Sequence, residues 1–356
     1  MKWITSGLIP ALLAIPSLVT ALDNIPEDID AWTEQGIVLR SGPPGAWDEK
    51  PFLMKPIGAH KKDGIYYLYY LAGSEGCWNE DADTRHQSVG LATSTDGINF
   101  TKYDGNPVLK PHDFLPVESH EEGIRGGVIR YVSEKKMWLG FFGVESPGGP
   151  ATCPFMGSQS QCACNIPVDA SIYAATSTDG KNWTIKGEVN GVYNGQENYV
   201  DDFHYRDGQY YVWHHRAQGG QMHRASKGPD YMNLTLLGKI PELCWGWGIF
   251  HTYLHDDGDT VTGIYDPNGG CAPPGDNTLF FATTSLSNMT EIRNVRPIHN
   301  KGQRHNFIMK DEDSGLWRWY YNVTTGPDAG TIQLRTHPIA AADTLAPSAP
   351  TSVNVD

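Results

Sequence analysis

The stretches 89–100, VGLATSTDGINF, and 172–183, IYAATSTDGKNW, are near copies of one another. Each reads as an alternating apolar strand that enters a Ser-Thr-Asp-Gly turn and ends on an aromatic residue. In such a turn the Asp side chain bonds the backbone and the Gly accepts positive φ. Working outward, a second and more aromatic strand precedes each copy behind its own turn: Asp63-Gly64 before IYYLYY, and Lys136 before MWLGFF. That hairpin returns as Asp207-Gly208 before QYYVWHH, Asp257-Gly258 before DTVTGIY and Ser314-Gly315 before LWRWYY. The five copies are spaced at intervals of roughly 50 to 75 residues, the signature of a repeat architecture. LFFATTSLSNMT (279–290) and MHRASKGPDYMN (222–233) are weaker copies of the opening stretch.

Each unit supplies one antiparallel sheet of about four strands, with two apolar faces that it cannot bury alone. Arranging the sheets radially buries each face on its neighbour and leaves only short edges. The expected fold is therefore all-β, a five-bladed β-propeller of four-stranded antiparallel blades over residues 22–339. A β-sandwich with irregular loops is the alternative. Long helices are excluded, because no window sustains 3.6-residue periodicity and the chain carries 39 Gly and 24 Pro. Residues 340–356 have linker composition, and APSAPTSVNVD looks like the opening strand of a fibronectin type III module cut short.

Residues 1–21 read as a secretory signal: Lys2 at the start, an apolar run over 8–19, and the small-residue site Val19-Thr20-Ala21. The expected product is secreted, extracellular and monomeric, with no membrane partner. Five Asn-x-Thr sequons, at Asn99, Asn182, Asn233, Asn288 and Asn322, are expected beside strands or turns where a glycan stays in solvent. Six cysteines, Cys77, Cys153, Cys162, Cys164, Cys244 and Cys271, are an even set and read as disulfide partners, Cys244 with Cys271 as the favoured pair. The formal net charge of −14 argues against nucleic acid or an anionic membrane surface as partner.

In a propeller the innermost strand of each blade lines the central channel, so chemistry is sought just before each aromatic hairpin. Those five starts hold Trp47-Asp48, Glu122 to Gly127 with Arg125, Tyr199 to Phe203 with Asp201-Asp202, Trp245 to Ile249 with Trp247, and Gln303 to Phe307 with Arg304 and His305. Carboxylates, arginine, histidine and tryptophan converging on one opening is the mixture that glycosidic bond cleavage needs. One carboxyl group protonates the leaving oxygen, a second activates water or attacks the anomeric carbon, and aromatic faces stack on sugar rings. No phosphate loop, dinucleotide fingerprint, zinc-spaced His/Cys set or Gly-x-Ser-x-Gly elbow is present.

The segment from Asp48 through LATSTDGINF to Asn106-Pro107-Val108-Leu109 resembles the first blade of the five-bladed glycosidases, families 43 and 62 and the invertase-like families 32 and 68. Asp48 matches the aspartate that those families place at the start of the first inner strand, which implies a general base. Gly302-Gln303-Arg304-His305-Asn306 is similar to the Gly-x-Gly-His-Asn segment of family 43 arabinanases. The resemblance there implies an axial His305 able to hold a calcium or other ion, although Arg304 stands where glycine is usual. Blade two departs further, reading Gly126-Gly127-Val128-Ile129 where family 43 has an aspartate. In blade three the family's acidic residue corresponds to Asp201-Asp202, with Glu197 and Glu122 as further candidates. Because strand neighbours alternate, one of the two aspartates is expected to face the channel and the other away.

The sequence thus points to a secreted glycoside hydrolase of polysaccharides or oligosaccharides, furanosides such as arabinofuranosides by resemblance. Its expected catalytic set is Asp48, Asp202, Asp201 and Glu122. Trp47, Arg125, Trp245, Trp247, Arg304 and His305 are expected to bind substrate, with no required cofactor beyond a structural calcium on the axis. The competing readings are a non-catalytic carbohydrate-binding propeller, supported by the missing blade-two aspartate, and a hydrolase or lyase of uronic-acid glycans, prompted by Arg125 and Arg304. His214 and His215 read as structural.

Overall fold

The computed structural model describes residues 25–26, 28–49, 54–73, 87–115, 123–147, 168–192, 198–216, 222–240, 250–265, 279–298, 303–323 and 326–339. They form five four-stranded antiparallel sheets. Blade one is β2 (Lys55–Lys62), β3 (Ile65–Ala72), β4 (Ser88–Ser94) and β5 (Thr101–Lys102). Blade two is β6 (Gly123–Val132), β7 (Met137–Pro147), β8 (Val168–Ser177) and β9 (Thr184–Glu188). Blade three is β10 (Asn198–Arg206), β11 (Gln209–Arg216), β12 (Met222–Asp230) and β13 (Asn233–Lys239). Blade four is β14 (Phe250–Leu254), β15 (Thr260–Tyr265), β16 (Leu279–Ser285) and β17 (Arg293–Ile298). Blade five takes β18 (Gln303–Asp311), β19 (Leu316–Val323) and β20 (Thr331–Pro338) from the end of the chain and its outer strand, β1 (Thr33–Arg40), from the beginning. Pairing β1 with β20 closes the ring. The inner strands β2, β6, β10, β14 and β18 neighbour one another around the axis.

The apolar residues at alternate positions of each blade pack on the next blade. Ile57, Tyr69 and Leu91 of blade one meet Ile129, Trp138 and Phe142 of blade two in one cluster. Trp213 of blade three meets Val261 and Tyr265 of blade four, and Ile264 of blade four meets Trp317 and Trp319 of blade five. The hairpins at Asp63-Gly64 and Asp207-Gly208 hold both residues at positive φ, 51° and 77° in the first and 49° and 77° in the second. That is the twist a two-residue turn needs between right-twisted strands.

The Ser-Thr-Asp-Gly stretches do more than turn the chain. Each lies between the third and fourth strands of its blade, and its glycine carbonyl accepts a tyrosine hydroxyl from the preceding blade. Tyr69 Oη donates to Gly180 O at 2.8 Å, and Tyr320 Oη donates to Gly97 O at 2.9 Å. A Cβ on Gly180 would stand 2.4 Å from the Tyr69 hydroxyl, so only glycine lets the neighbour in. The ring is closed again by Asp311, whose buried carboxylate accepts Tyr66 Oη at 2.5 Å, Lys61 Nζ at 3.0 Å and Arg318 Nε at 2.8 Å.

The same turns account for the sequons. Asn99, Asn182 and Asn233 are exposed, and each donates Nδ2 at 2.7 Å to the carboxylate three residues before it, Asp96, Asp179 and Asp230. Asn288 is exposed and donates to Glu291 at 2.6 Å. The fifth expectation is corrected: Asn322 is 1 % exposed in the middle of blade five and cannot carry a glycan in the folded protein. All six cysteines lie outside the described residues.

Candidate active site

Four of the five inner strands carry a register shift at their start: between Pro56 and Gly58, Ile124 and Gly126, Val200 and Asp202, and Arg304 and Phe307. The inserted residues are Ile57, Arg125, Asp201 and the pair His305-Asn306. A β-bulge re-aims a side chain and breaks the alternation of the strand, and bulges concentrate beside active sites. The repeat thus places Arg125, Asp201 and His305 at one level of one end of the channel, on three different blades. His305 is half-buried with φ 47°, a left-handed conformation that a bulge tolerates. Its neighbour Asn306 is buried and accepts Trp319 Nε1 at 2.8 Å.

Asp201 and Asp202 are both 0 % exposed, but their carboxylates do different things. Asp202 reaches across the axis. Arg130 of β6 donates to it bidentately, Nε to Oδ1 at 2.8 Å and Nη2 to Oδ2 at 2.7 Å. The backbone N–H groups of Phe203 and Thr252 add bonds at 2.8 and 2.6 Å. Arg130 also donates to Thr252 O at 2.6 Å and lies 5.0 Å over the Phe307 ring. Burial raises the Asp202 pKa, but Arg130 outweighs it and holds the group ionised. A carboxylate with four donors and no proton is a poor general acid, so the expected acid role of Asp202 is replaced by that of an axial brace. His204 belongs to the same brace, with Nε2 2.8 Å from Thr252 Oγ1, and burial drives its pKa down to about 3.

Asp201 stays within blade three. Its Oδ1 is 2.7 Å from His215 Nδ1 and its Oδ2 is 2.9 Å from His223 Nδ1. His215 and His223 oppose each other directly across β11 and β12, with ring centroids 5.0 Å apart. The bulge turns Asp201 onto the face that carries them. Burial pushes the Asp201 pKa up, but the two imidazoles overcome it and bring the carboxyl well below its usual range. His223 is itself held neutral, first by burial. The state consistent with both is an ionised Asp201 that accepts Nδ1–H from a neutral His223. Tyr199 packs on His215 at 5.2 Å, and Gly126 of blade two makes room for it: a Cβ there would lie 3.2 Å from Tyr199 Cδ1. A Cβ on Gly127 would lie 2.8 Å from Phe142 Cδ1. Blade two therefore has no space for the aspartate that the family resemblance leads one to expect there.

Asp48 is buried in the loop before β2, which begins at Lys55. Its Oδ2 pairs with Lys102 Nζ of the outermost strand β5 at 2.6 Å and accepts Tyr70 Oη at 3.4 Å. Its Oδ1 lies 2.3 Å from where a Cβ on Gly42 would be, so that side is closed by the chain. Trp47 stacks on Tyr70 at 5.8 Å. Burial, then Asp48, pushes the Tyr70 phenol up, keeping it a donor. Asp48 thus faces the outer strands of its own blade and shares no described contact with Asp201 or Asp202.

Glu122, Glu197, Trp245 and Trp247 lie outside the described residues, and Arg125 and Arg304 are placed by their backbone alone. His214, expected to be structural, bonds Ser226 Oγ at 3.0 Å. On the described axis the Asp202 oxygens and the Thr252 carbonyl are already taken by N–H donors. They do not fit the six to eight oxygen ligands of a calcium ion. A polar groove lined by Tyr103, Lys181 and Trp183 lies between blades one and two, away from the bulged starts. Sequence reading missed Arg130 and His223. Arg130 is one of several cations on alternating strands, and its partner is 72 residues away. His223 sits in the weakest copy of the repeat.

No protein-family model matches the chain, and no curated protein matches it in sequence. Solved structures do match it in fold. An N-acetylgalactosamine deacetylase from F. plautii, in complex with blood group B trisaccharide, is similar with TM-score 0.56 and 9 % identity, over 86 % of this chain and 96 % of that one. The GH43_1 enzyme from Xanthomonas citri, complexed with xylose, is similar with TM-score 0.52 and 12 % identity, over 86 % of this chain and 91 % of that one. A glycosyl hydrolase from Bacteroides ovatus has TM-score 0.50 and 13 % identity, over 85 % of this chain and 94 % of that one. At these identities the likeness is one of fold: the chain has the five-bladed architecture on which these carbohydrate-active proteins are built.

Proposed function

We propose that the chain is an exported glycoside hydrolase that cleaves a polysaccharide or oligosaccharide at the bulged end of its channel. The observation that carries the reading is the set of bulges at corresponding inner-strand starts, which brings Arg125, Asp201 and His305 to one level. Asp201 is the ionised carboxylate of that end, fixed by His215 and His223. Glu122 and Glu197 are the sequence candidates for the opposed carboxyl group that paired-carboxylate hydrolysis requires. Arg125 and His305 bind the sugar beside them. The substrate class is furanosides by family resemblance, with carboxylated sugars favoured if Arg125 and Arg304 meet the substrate.

The test is hydrolysis of a panel of neutral and carboxylated aryl glycosides and of arabinan by the full chain and two variants. Asp201→Asn is expected to lower turnover by about 10²-fold or more, the scale of a lost acid-base group. Asp48→Asn is expected to lower it less, through the first blade. Binding of glycans without hydrolysis of any of them overturns the enzyme reading and leaves a carbohydrate-binding propeller.

A further inference from the structure

Asp201, His215 and His223 make a cluster whose chemistry goes beyond a braced carboxylate. They come from three adjacent strands, β10, β11 and β12, and all three side chains are buried. One donor atom from each, two ring nitrogens and a carboxylate oxygen, lie within 4.8 Å of one another. The set arises from register. Residues 215 and 223 are paired across β11 and β12, and the bulge between Val200 and Asp202 brings the carboxylate to the same face.

Hydrogen bonding alone leaves this cluster incomplete. A neutral imidazole has one N–H, and His223 spends it on Asp201 through Nδ1. Its Nε2 is then a buried lone pair, and no hydrogen-bond partner among the described residues reaches it. Protonating that nitrogen only exchanges an unmatched acceptor for an unmatched donor and adds a charge. Either way an unsatisfied buried group persists, which is rare in native proteins. A metal ion is a partner that takes such a nitrogen lone pair.

We propose that Asp201, His215 and His223 form a binding site for one divalent transition-metal ion of the zinc class. Two imidazoles and a carboxylate suit zinc, iron, nickel or copper, whereas calcium and magnesium prefer all-oxygen sets. Ligand distances of about 2.0–2.2 Å place tetrahedral donors about 3.4 Å apart, within the 4.8 Å that encloses the three donor atoms. The site lies at the bulged end of blade three, so the ion would set the position of Asp201 and tie β10, β11 and β12 together there. The inference does not rest on the hydrolase reading, because metal content is measured without substrate.

The experiment uses the full chain, produced without a polyhistidine tag, stripped with chelator and titrated with zinc and with cobalt. One equivalent of either ion is expected to bind, with visible ligand-field bands for cobalt and a melting temperature that rises with zinc concentration. His215→Gln and His223→Gln are each expected to lose the bound equivalent and the zinc-dependent rise, while His214→Gln keeps both. If the two variants fail to fold, X-ray absorption of the zinc-loaded wild type decides, two imidazoles in the first coordination shell supporting the site. No stoichiometric binding, binding that survives both substitutions, or a coordination shell without histidine overturns it. Failure of this test leaves the hydrolase reading standing, and inactivity on glycans leaves the metal site standing.

Discussion

Asp201 and Asp202 are neighbours on one strand, equally buried, and yet one is held by histidines within its blade and the other braces neighbouring blades. Asp202 joins blades: its partners lie on β6 and β14, and a full cation answers its charge. Asp201 joins strands within a blade, and its described partners are imidazoles. Both are carboxylates in a dry place, so composition and burial do not tell them apart. Partner chemistry does. A guanidinium saturates a carboxylate bidentately and locks it, whereas histidines fix its direction and keep further ring nitrogens for other partners.

The difference is measurable. Asp202→Ala would leave the partly buried Arg130 without its counter-charge, and a loss of about 2–4 kcal/mol is expected in chemical denaturation. The double change Arg130→Met with Asp202→Leu removes both charges and should recover most of that loss, since replacing a buried pair by apolar residues is often neutral. If the double variant is no better than Asp202→Ala, the axial brace is not electrostatic.

Histidines in these two regions, together with His60 of blade one, set the acid limit of stability. Burial drives His204 and His214 to about 3, and His60 to about 4. In the unfolded chain they titrate near their ordinary value of 6.5. The unfolded state therefore takes up protons first as pH falls through that value. Stability should decline from about pH 6.5 downward, each such group contributing up to about 1.4 kcal/mol per pH unit. The Asp202 and Asp311 pKa values are lowered as well, but from an ordinary value of 3.8, so their contributions persist until the pH falls below about 4. Denaturation midpoints that stay flat between pH 6.5 and 5 would refute the neutral, buried histidines.

In metal-free protein, Asp201→Ala leaves its described imidazole partners without their acceptor, and about 1–3 kcal/mol is expected, less than for Asp202→Ala. An equal cost for the two would erase the distinction drawn between them. The smallest effect falls on the turns: Asn182→Ala removes the Nδ2 bond to Asp179 but keeps the glycine clasp on Tyr69, and about 0.5–1.5 kcal/mol is expected. A larger loss would mean that the sequon asparagines, and not the glycines, hold neighbouring blades.

Much of the architecture was legible in the chain because local chemistry enforces it. Aromatic alternation, two-residue turns and Ser-Thr-Asp-Gly stretches recur often enough to specify five blades. The candidate site was only partly legible. Asp201, Arg125 and His305 were found from their place before the hairpins, but the bulges that bring them to one level are registry shifts with no marker in composition. Asp48 shows the limit most clearly. Its position before the first hairpin suggested the channel, and only the structure showed its pairing with Lys102, 54 residues later on the outermost strand.

By itself, then, the sequence determined the repeat, the turns, the number of blades and the shortlist of polar residues near their inner edges. Each depends on interactions within a few residues or on apolar period. Only the tertiary structure decided which aspartate is braced and which is held by histidines, why blade two carries glycines, and where the asparagine of the fifth sequon is hidden. Those outcomes depend on partners from other strands and blades. Nothing in the pattern of a single strand encodes which charge will face it across the axis.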